Sequence, residues 1–195
     1  LEKEVLEELR NFSLESSIWH KDYQNRNYIG SIPGDGNYSK IHHGIIEDLK
    51  KNLPNVLNKM NFEQMWAFNY DSEMHKGIAP HADFAMVNLN FWITPNQFNL
   101  SKNSSGLKIY NKPVPDNWSF EDYNSESNHL INNYLGKEKD NFIKIPYKYN
   151  RAILFDSSLI HETDKLQFTD SYIGRRINYT ILFLLLYHHH PNMHN

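Results

Sequence analysis

There is no cysteine among the 195 residues, which excludes disulfide frameworks, thiolate zinc sites, iron–sulfur clusters and thiol nucleophiles together. Any metal must be held by His, Asp or Glu. Basic charge is also scarce: Lys plus Arg is 20 against 23 for Asp plus Glu, a formal charge of −3 with no basic block. An electrostatic grip on nucleic acid or anionic lipid is therefore disfavoured. No run approaches the ~18 apolar residues of a membrane span, and the N-terminal LEKEVLEELRNF alternates acids with leucines instead of pairing a basic end with an apolar stretch. A cytoplasmic protein without nucleic-acid or membrane partners is expected. The chain opens at Leu1, which leaves a longer parent protein open, and the oligomeric state is unreadable.

What the chain does have is core material: 39% hydrophobic residues, 27 aromatics among them, against 22% charged, a balance typical of a folded domain. The length suits one domain over 1–195. Residues 1–62 read as a mainly helical packing region, because Val5, Leu6, Leu9 and Phe12 share a helical face and Ile41, Ile45, Ile46 and Leu49 repeat the pattern up to Pro54. The turn-rich GSIPGDGN at 30–37 lacks the strand-before, helix-after context of a phosphate loop. From about Met65 the period becomes two, with strand candidates at 65–70, 87–94, 107–110, 143–147, 152–155, 159–161 and 177–186. Many strands without alternating helices predict a mainly β fold with flanking helices, its antiparallel sheets closed into a sandwich or jelly roll over 65–186. The 111–142 segment interrupts it, with Ser119 three residues before Asp122 as a capping box and a helix expected through Tyr134. An insertion of that length, with loop 71–80, is expected to frame a substrate.

Eleven histidines are present. His188, His189, His190 and His194 lie in a polar tail, His42 and His43 in a helical stretch, and His20, His75 and His129 have no fitting partner in sequence. His81 differs, because Asp83 follows two residues later and strand alternation aims both at one space. His161, closing the apolar AILFDSSLIH, supplies a third donor. Two histidines and a carboxylate on one face, with open positions, match the facial arrangement of non-haem Fe(II) oxygenases. In GRRINYTILFLLL, Arg176, Asn178 and Thr180 share a face opposite Ile177, Tyr179, Ile181 and Phe183. A guanidinium on that face can grip a carboxylate bidentately, and Thr180 can add a hydroxyl bond. Arg176 is preferred over its neighbour Arg175 by parity, although a bulge would exchange them. On 87–94, Asn88, Asn90, Trp92 and Thr94 oppose the apolar Val87, Leu89, Phe91 and Ile93.

Taken in order, His81-x-Asp83 in APHADFAMVNLNFWITP, the Gly-Leu strand in SGLKIY, NRAILFDSSLIHET up to His161, and Arg176 with Thr180 resemble the 2-oxoglutarate/Fe(II)-dependent dioxygenases. The resemblance covers about 65–186. It implies a double-stranded β-helix, the cupin-like jelly roll, with His81, Asp83 and His161 binding Fe(II) and Arg176 binding the distal carboxylate of 2-oxoglutarate. Thr180, Asn90, Trp92 and Tyr70 are the further expected cosubstrate contacts. The activity implied is hydroxylation of a C–H bond in a small-molecule or peptidyl substrate, consuming O2 and 2-oxoglutarate and releasing succinate and CO2. Asp83 looks like the hydroxylases and unlike the related halogenases, which leave that position free for chloride. Asn150 stands where the family often has glycine, and asparagine tolerates the positive φ such a turn needs. Asp156 and Glu162 are candidate partners for a ligand imidazole. Two other readings compete: a cupin-type metalloenzyme that does not use 2-oxoglutarate, and a catalytically silent jelly-roll module binding a sugar or peptide on Trp66, Trp92, Trp118 and Tyr123.

Overall fold

The computed structural model describes residues 1–23, 28–70, 77–124 and 129–185. Five helices are present among them: α1 (Lys3–Glu15), α2 (Lys40–Asn52), α3 (Pro54–Leu57), α4 (Phe120–Asn124) and α5 (His129–Leu135). The strands are β1 (Lys21–Tyr23), β2 (Tyr28–Ser31), β3 (Met60–Tyr70), β4 (Val87–Trp92), β5 (Leu107–Pro113), β6 (Phe142–Ile145), β7 (Ala152–Asp156), β8 (Leu159–Thr163) and β9 (Arg176–Leu185). They form a six-stranded sheet in the order β1-β2-β3-β9-β4-β7 and a three-stranded sheet in the order β6-β5-β8, with every pair antiparallel. His81 adds an isolated bridge to His161 at the edge of the small sheet. The jelly-roll-like arrangement of antiparallel sheets with flanking helices agrees with the sequence reading. The N-terminal segment, read as mainly helical, also carries β1 and β2, two strands too short to show periodicity.

The large sheet has two chemically different faces, as strand alternation requires. One presents Met65, Ala67, Leu89, Phe91, Ile177, Tyr179, Ile181 and Phe183, which pack with Leu6 and Leu9 of α1, Ile45 and Ile46 of α2, and Leu57. α2 starts at Ser39, whose hydroxyl accepts from the Ile41 amide, and gives way at Leu53 and Pro54 to α3. The other face carries Arg176, Asn178, Thr180, Asn88, Asn90 and Trp92 and looks toward the small sheet. There Trp92 packs with Leu107, Ile109, Tyr147 and Phe168. Asn150 turns the chain into β7 at φ 60°, as its tolerance of the left-handed region allows. Gly106 lets β5 approach β6 closely, since a Cβ there would lie 2.0 Å from the Ile145 carbonyl oxygen.

A buried polar knot ties the helices to β9. The Tyr179 hydroxyl lies 2.9 Å from the Ser13 hydroxyl and 3.4 Å from His42 Nε2, while His42 Nδ1 accepts the Ser39 amide at 3.1 Å. Burial pushes the His42 imidazole down to about 4, so it stays neutral in the folded chain at pH values where the unfolded chain takes a proton. Stability is then fully present above pH 6.5 and falls as the pH drops toward 4, by about 3 kcal/mol at most. Urea unfolding across that range should show the loss, and His42→Gln should remove that part of the slope.

Candidate metal and carboxylate site

Between the two sheets lies a cavity of about 200 Å3. β2 supplies Tyr28; β3 supplies Trp66, Phe68 and Tyr70; β4 supplies Asn90; β9 supplies Arg176, Asn178 and Thr180. The opposite wall is Leu107, His161 and Thr163 of the small sheet, with Ile78, His81 and Asp83 along the edge and Phe120 and Asn124 of α4 above. Of the segments expected to frame a substrate, the insertion contributes α4, and loop 71–80 contributes Ile78, its residues 71–76 lying outside the described residues.

His81, Asp83 and His161 come together as the spacing suggested, with one donor atom from each within 4.8 Å of the others. The route differs from simple strand alternation. Only His81 sits in a β-bridge, exchanging backbone bonds with His161 at 3.0 and 2.8 Å. Asp83 is held next by its own amide donating to the Ser157 carbonyl, and the intervening Ala82 bonds through its amide to the Tyr123 carbonyl of α4. Asn124 donates to the Ala82 carbonyl at 3.0 Å. The insertion thus clamps the middle residue of His81-x-Asp83 from the side away from the small sheet.

Both imidazoles are oriented by main-chain carbonyls: His81 Nδ1 lies 2.8 Å from the Ala79 oxygen and His161 Nδ1 lies 2.9 Å from the Leu159 oxygen. A carbonyl only accepts, so Nδ1 carries a proton in each ring, and in the neutral ring Nε2 is the atom with a lone pair to offer inward. His161 Nε2 is 3.5 Å from Asp83 Oδ2, and His81 Nε2 is 3.9 Å from Oδ1. Burial works against the Asp83 carboxylate, but when the rings also carry a proton at Nε2, the hydrogen bond and charge of His161, the charge of His81 and the Asn88 amide more than offset it and hold the group below the usual carboxylate range. The expected imidazole partners Asp156 and Glu162 are used elsewhere. Asp156 accepts from the Ser158 amide and hydroxyl, and Glu162 accepts from Lys108 and Tyr110 on the outside of the small sheet. Main-chain carbonyls two residues before each histidine do the orienting instead.

At the other end of the cavity Arg176, 1% exposed, lies over the rings of Tyr70 and Trp92 at 4.8 and 5.4 Å. Its Nε and Nη1 have no hydrogen-bond partner among the described residues, and burial pushes the guanidinium below its usual range, against the opposing pull of Tyr70 and Tyr147. Arg175 is more exposed and follows the turn, as parity required. Thr180 accepts from the Asn90 and Asn178 amides at 3.1 and 3.2 Å. Because both lone pairs are taken, its own proton is left to donate into the cavity.

Trp92, expected at the cosubstrate pocket, is not part of the cavity lining. Its ring is sealed against Tyr147, stacked at 5.1 Å, and serves as the floor beneath Arg176. Of the other aromatics of the binding-module reading, Trp66 is linked to Tyr123 through Phe84 and Phe120, and Trp118 packs on Tyr134. The tail histidines and His75 lie outside the described residues. Sequence reasoning missed Phe120 and Asn124, which no periodicity could bring to the site, and Tyr28, on a four-residue strand.

No helix among the described residues is long and apolar enough to cross a membrane. No protein-family model matches the chain, and neither does any curated protein sequence. Solved structures do. EvdMO1 superposes with a TM-score of 0.64 at 12% identity over 95% of this chain, which spans only 45% of that protein. HygX from Streptomyces hygroscopicus, solved with nickel, 2-oxoglutarate and hygromycin B bound, gives 0.62 at 8% identity, covering 96% of this chain and 80% of its own. The epimerase SnoN, in complex with Fe3+, alpha ketoglutarate and nogalamycin RO, gives 0.62 at 10% identity, covering 94% and 75%. At such identities the likeness is one of fold, and the fold of this chain is the one these proteins share.

Proposed function

We propose that this chain is an Fe(II)- and 2-oxoglutarate-dependent oxygenase, built on a double-stranded β-helix, that hydroxylates a C–H bond of a small molecule. The observation that carries the reading is the pairing of two ends in one cavity. Three inward-facing donors, His81, Asp83 and His161, suit an Fe(II) ion by type and number. Arg176, fully buried and short of partners at Nε and Nη1, suits a carboxylate. A 2-oxoglutarate molecule has a chelating keto-acid at one end and a carboxylate at the other, which is what the two ends require. The strand order supports the β-helix: β4 and β9 of the large sheet and β5 and β8 of the small one line one cavity, and β7 of the large sheet is followed directly in sequence by β8 of the small one. HygX and SnoN, solved with metal and 2-oxoglutarate or alpha ketoglutarate, are similar to this chain in overall fold.

Bound together, the metal and 2-oxoglutarate supply the oxidising chemistry, with succinate and CO2 as coproducts. The protein's share is positional. The Ala79 and Leu159 carbonyls keep both imidazoles in the ligating tautomer. Tyr70 and Trp92 hold the guanidinium in a dry recess, where its attraction for a carboxylate is little screened. The cavity, at about 200 Å3, lies below the range of ~300–1,000 Å3 that takes a drug-sized ligand whole. With the cosubstrate inside, the substrate meets the site at its mouth, against Trp66, Phe120 and Asn124. The guanidinium, short of partners at Nε and Nη1 among the described residues, favours this reading over a cupin-type enzyme without 2-oxoglutarate or a silent module.

The hydroxyl of Thr180 is expected to complete the carboxylate site. Thr180→Val should weaken 2-oxoglutarate binding by about 1.5–3 kcal/mol, roughly ten- to 150-fold, and calorimetric titration reads it directly. The activity itself is tested by succinate formation, which should need Fe(II), 2-oxoglutarate and O2 together. Folded, iron-loaded protein that never yields succinate with any candidate substrate, or in slow uncoupled turnover, contradicts the assignment.

A further inference from the structure

We infer that Asn88 is a positioning residue for the metal site, fixing the Asp83 carboxylate so that one defined oxygen faces the ion; the inference rests on the metal reading above. Asn88 is completely buried on β4, on the face turned toward the small sheet. Its Nδ2 donates to Asp83 Oδ2 at 2.5 Å, the only side-chain amide bonded to that carboxylate among the described residues. The amide is orientationally fixed, because an ionised carboxylate only accepts. Its own Oδ1 has no partner among the described residues, so the side chain is held by this one bond.

The bond matters because of what surrounds the carboxylate. Asp83 lies in the turn between the His81 bridge and β4, with no strand ladder of its own to fix its side chain. His161 Nε2 approaches Oδ2 to 3.5 Å and His81 Nε2 approaches Oδ1 to 3.9 Å. Rotation about the side chain would exchange the two oxygens at the point where the donors converge. By occupying Oδ2, Asn88 makes the oxygens inequivalent and leaves Oδ1 as the one without a hydrogen bond among the described residues. β4 also carries Asn90, two residues on, in contact with Thr180, so one strand aligns both ends of the cavity.

The test compares two isosteric replacements, Asn88→Val and Asn88→Thr, which share a shape suited to a strand and differ in one hydroxyl donor. Co(II) is titrated into the metal-free protein, and both affinity and the visible ligand-field bands are read. The expected result is a Co(II) affinity roughly 10–100-fold weaker in Asn88→Val, the usual cost of losing a partner of a metal ligand. Its bands should be shifted, and Asn88→Thr should recover part of the affinity. Should Asn88→Val fail to fold, Asn88→Ala and Asn88→Ser make the same comparison. Wild-type Co(II) affinity in the valine variant, or equal losses in both members of the pair, would overturn the role of Asn88. Absence of Co(II) binding by the wild-type protein is a different failure, that of the metal reading, and takes this inference with it.

Discussion

Arg176→Met should weaken 2-oxoglutarate binding by about 2–5 kcal/mol, on the order of thirty- to several-thousand-fold, while Fe(II) affinity stays close to that of the unchanged protein. The size follows from burial. The guanidinium is 1% exposed, and two of its nitrogens lack partners among the described residues, so a carboxylate there forms charge-assisted bonds with little water to compete. Methionine matches the length of the stem and removes the charge. Without ligand, the variant should be as stable as the parent or more so, since a buried charge short of partners costs free energy that a thioether does not. 2-Oxoglutarate at a concentration that saturates the parent should raise the Tm of the parent and move that of the variant far less. Equal affinity in the two proteins would remove Arg176 from the site.

The second large effect concerns the metal. His81→Ala, Asp83→Ala and His161→Ala should each reduce Fe(II) affinity by more than the ~10–100-fold that follows loss of an outer partner, because each removes one of three donors held within 4.8 Å of one another. The His161 variant is the cleaner probe. His161 lies within β8, bonded on both sides through its main chain, so its removal leaves the small sheet in register, whereas His81 and Asp83 sit in a turn that α4 also clamps. Equilibrium dialysis with Fe(II) under anaerobic conditions measures all three, and an unchanged affinity in any one strikes that residue from the ligand set.

How far the residues revealed this site depended on which periodicity governed each of them. Arg176, Asn178 and Thr180 were legible because a regular ten-residue strand alternates strictly, and the apolar partners Ile177, Tyr179 and Ile181 marked the opposite face. Ser119 and Asp122 were legible as a reciprocal cap, and both bonds are formed, at 2.8 and 3.3 Å. The pairing of His81 with Asp83 was anticipated for a reason that holds only in part, since no ladder continues past the bridge and the Asp83 main chain is placed by Ser157. Trp92 does face inward, but Tyr147, fifty-five positions away in sequence, covers it, and no local pattern carries that information. The same limit hid Phe120 and Asn124: α4 reaches the site through the Tyr123 carbonyl, which accepts from the Ala82 amide as any residue could, and through the Asn124 side-chain amide, which donates to the Ala82 carbonyl across 42 positions of sequence. Glu162, next to His161 in sequence, points outward by alternation and pairs with Lys108, so nearness along the chain misled where parity would have decided.

The most direct measurement is an anaerobic titration of the metal-free protein with Fe(II) and 2-oxoglutarate, followed in the visible range. A weak charge-transfer band that needs both components, persists at lower apparent affinity in Arg176→Met and vanishes in His161→Ala is the predicted result. Iron binding without any band on adding 2-oxoglutarate would contradict the account and return the cavity to a metal enzyme of another kind.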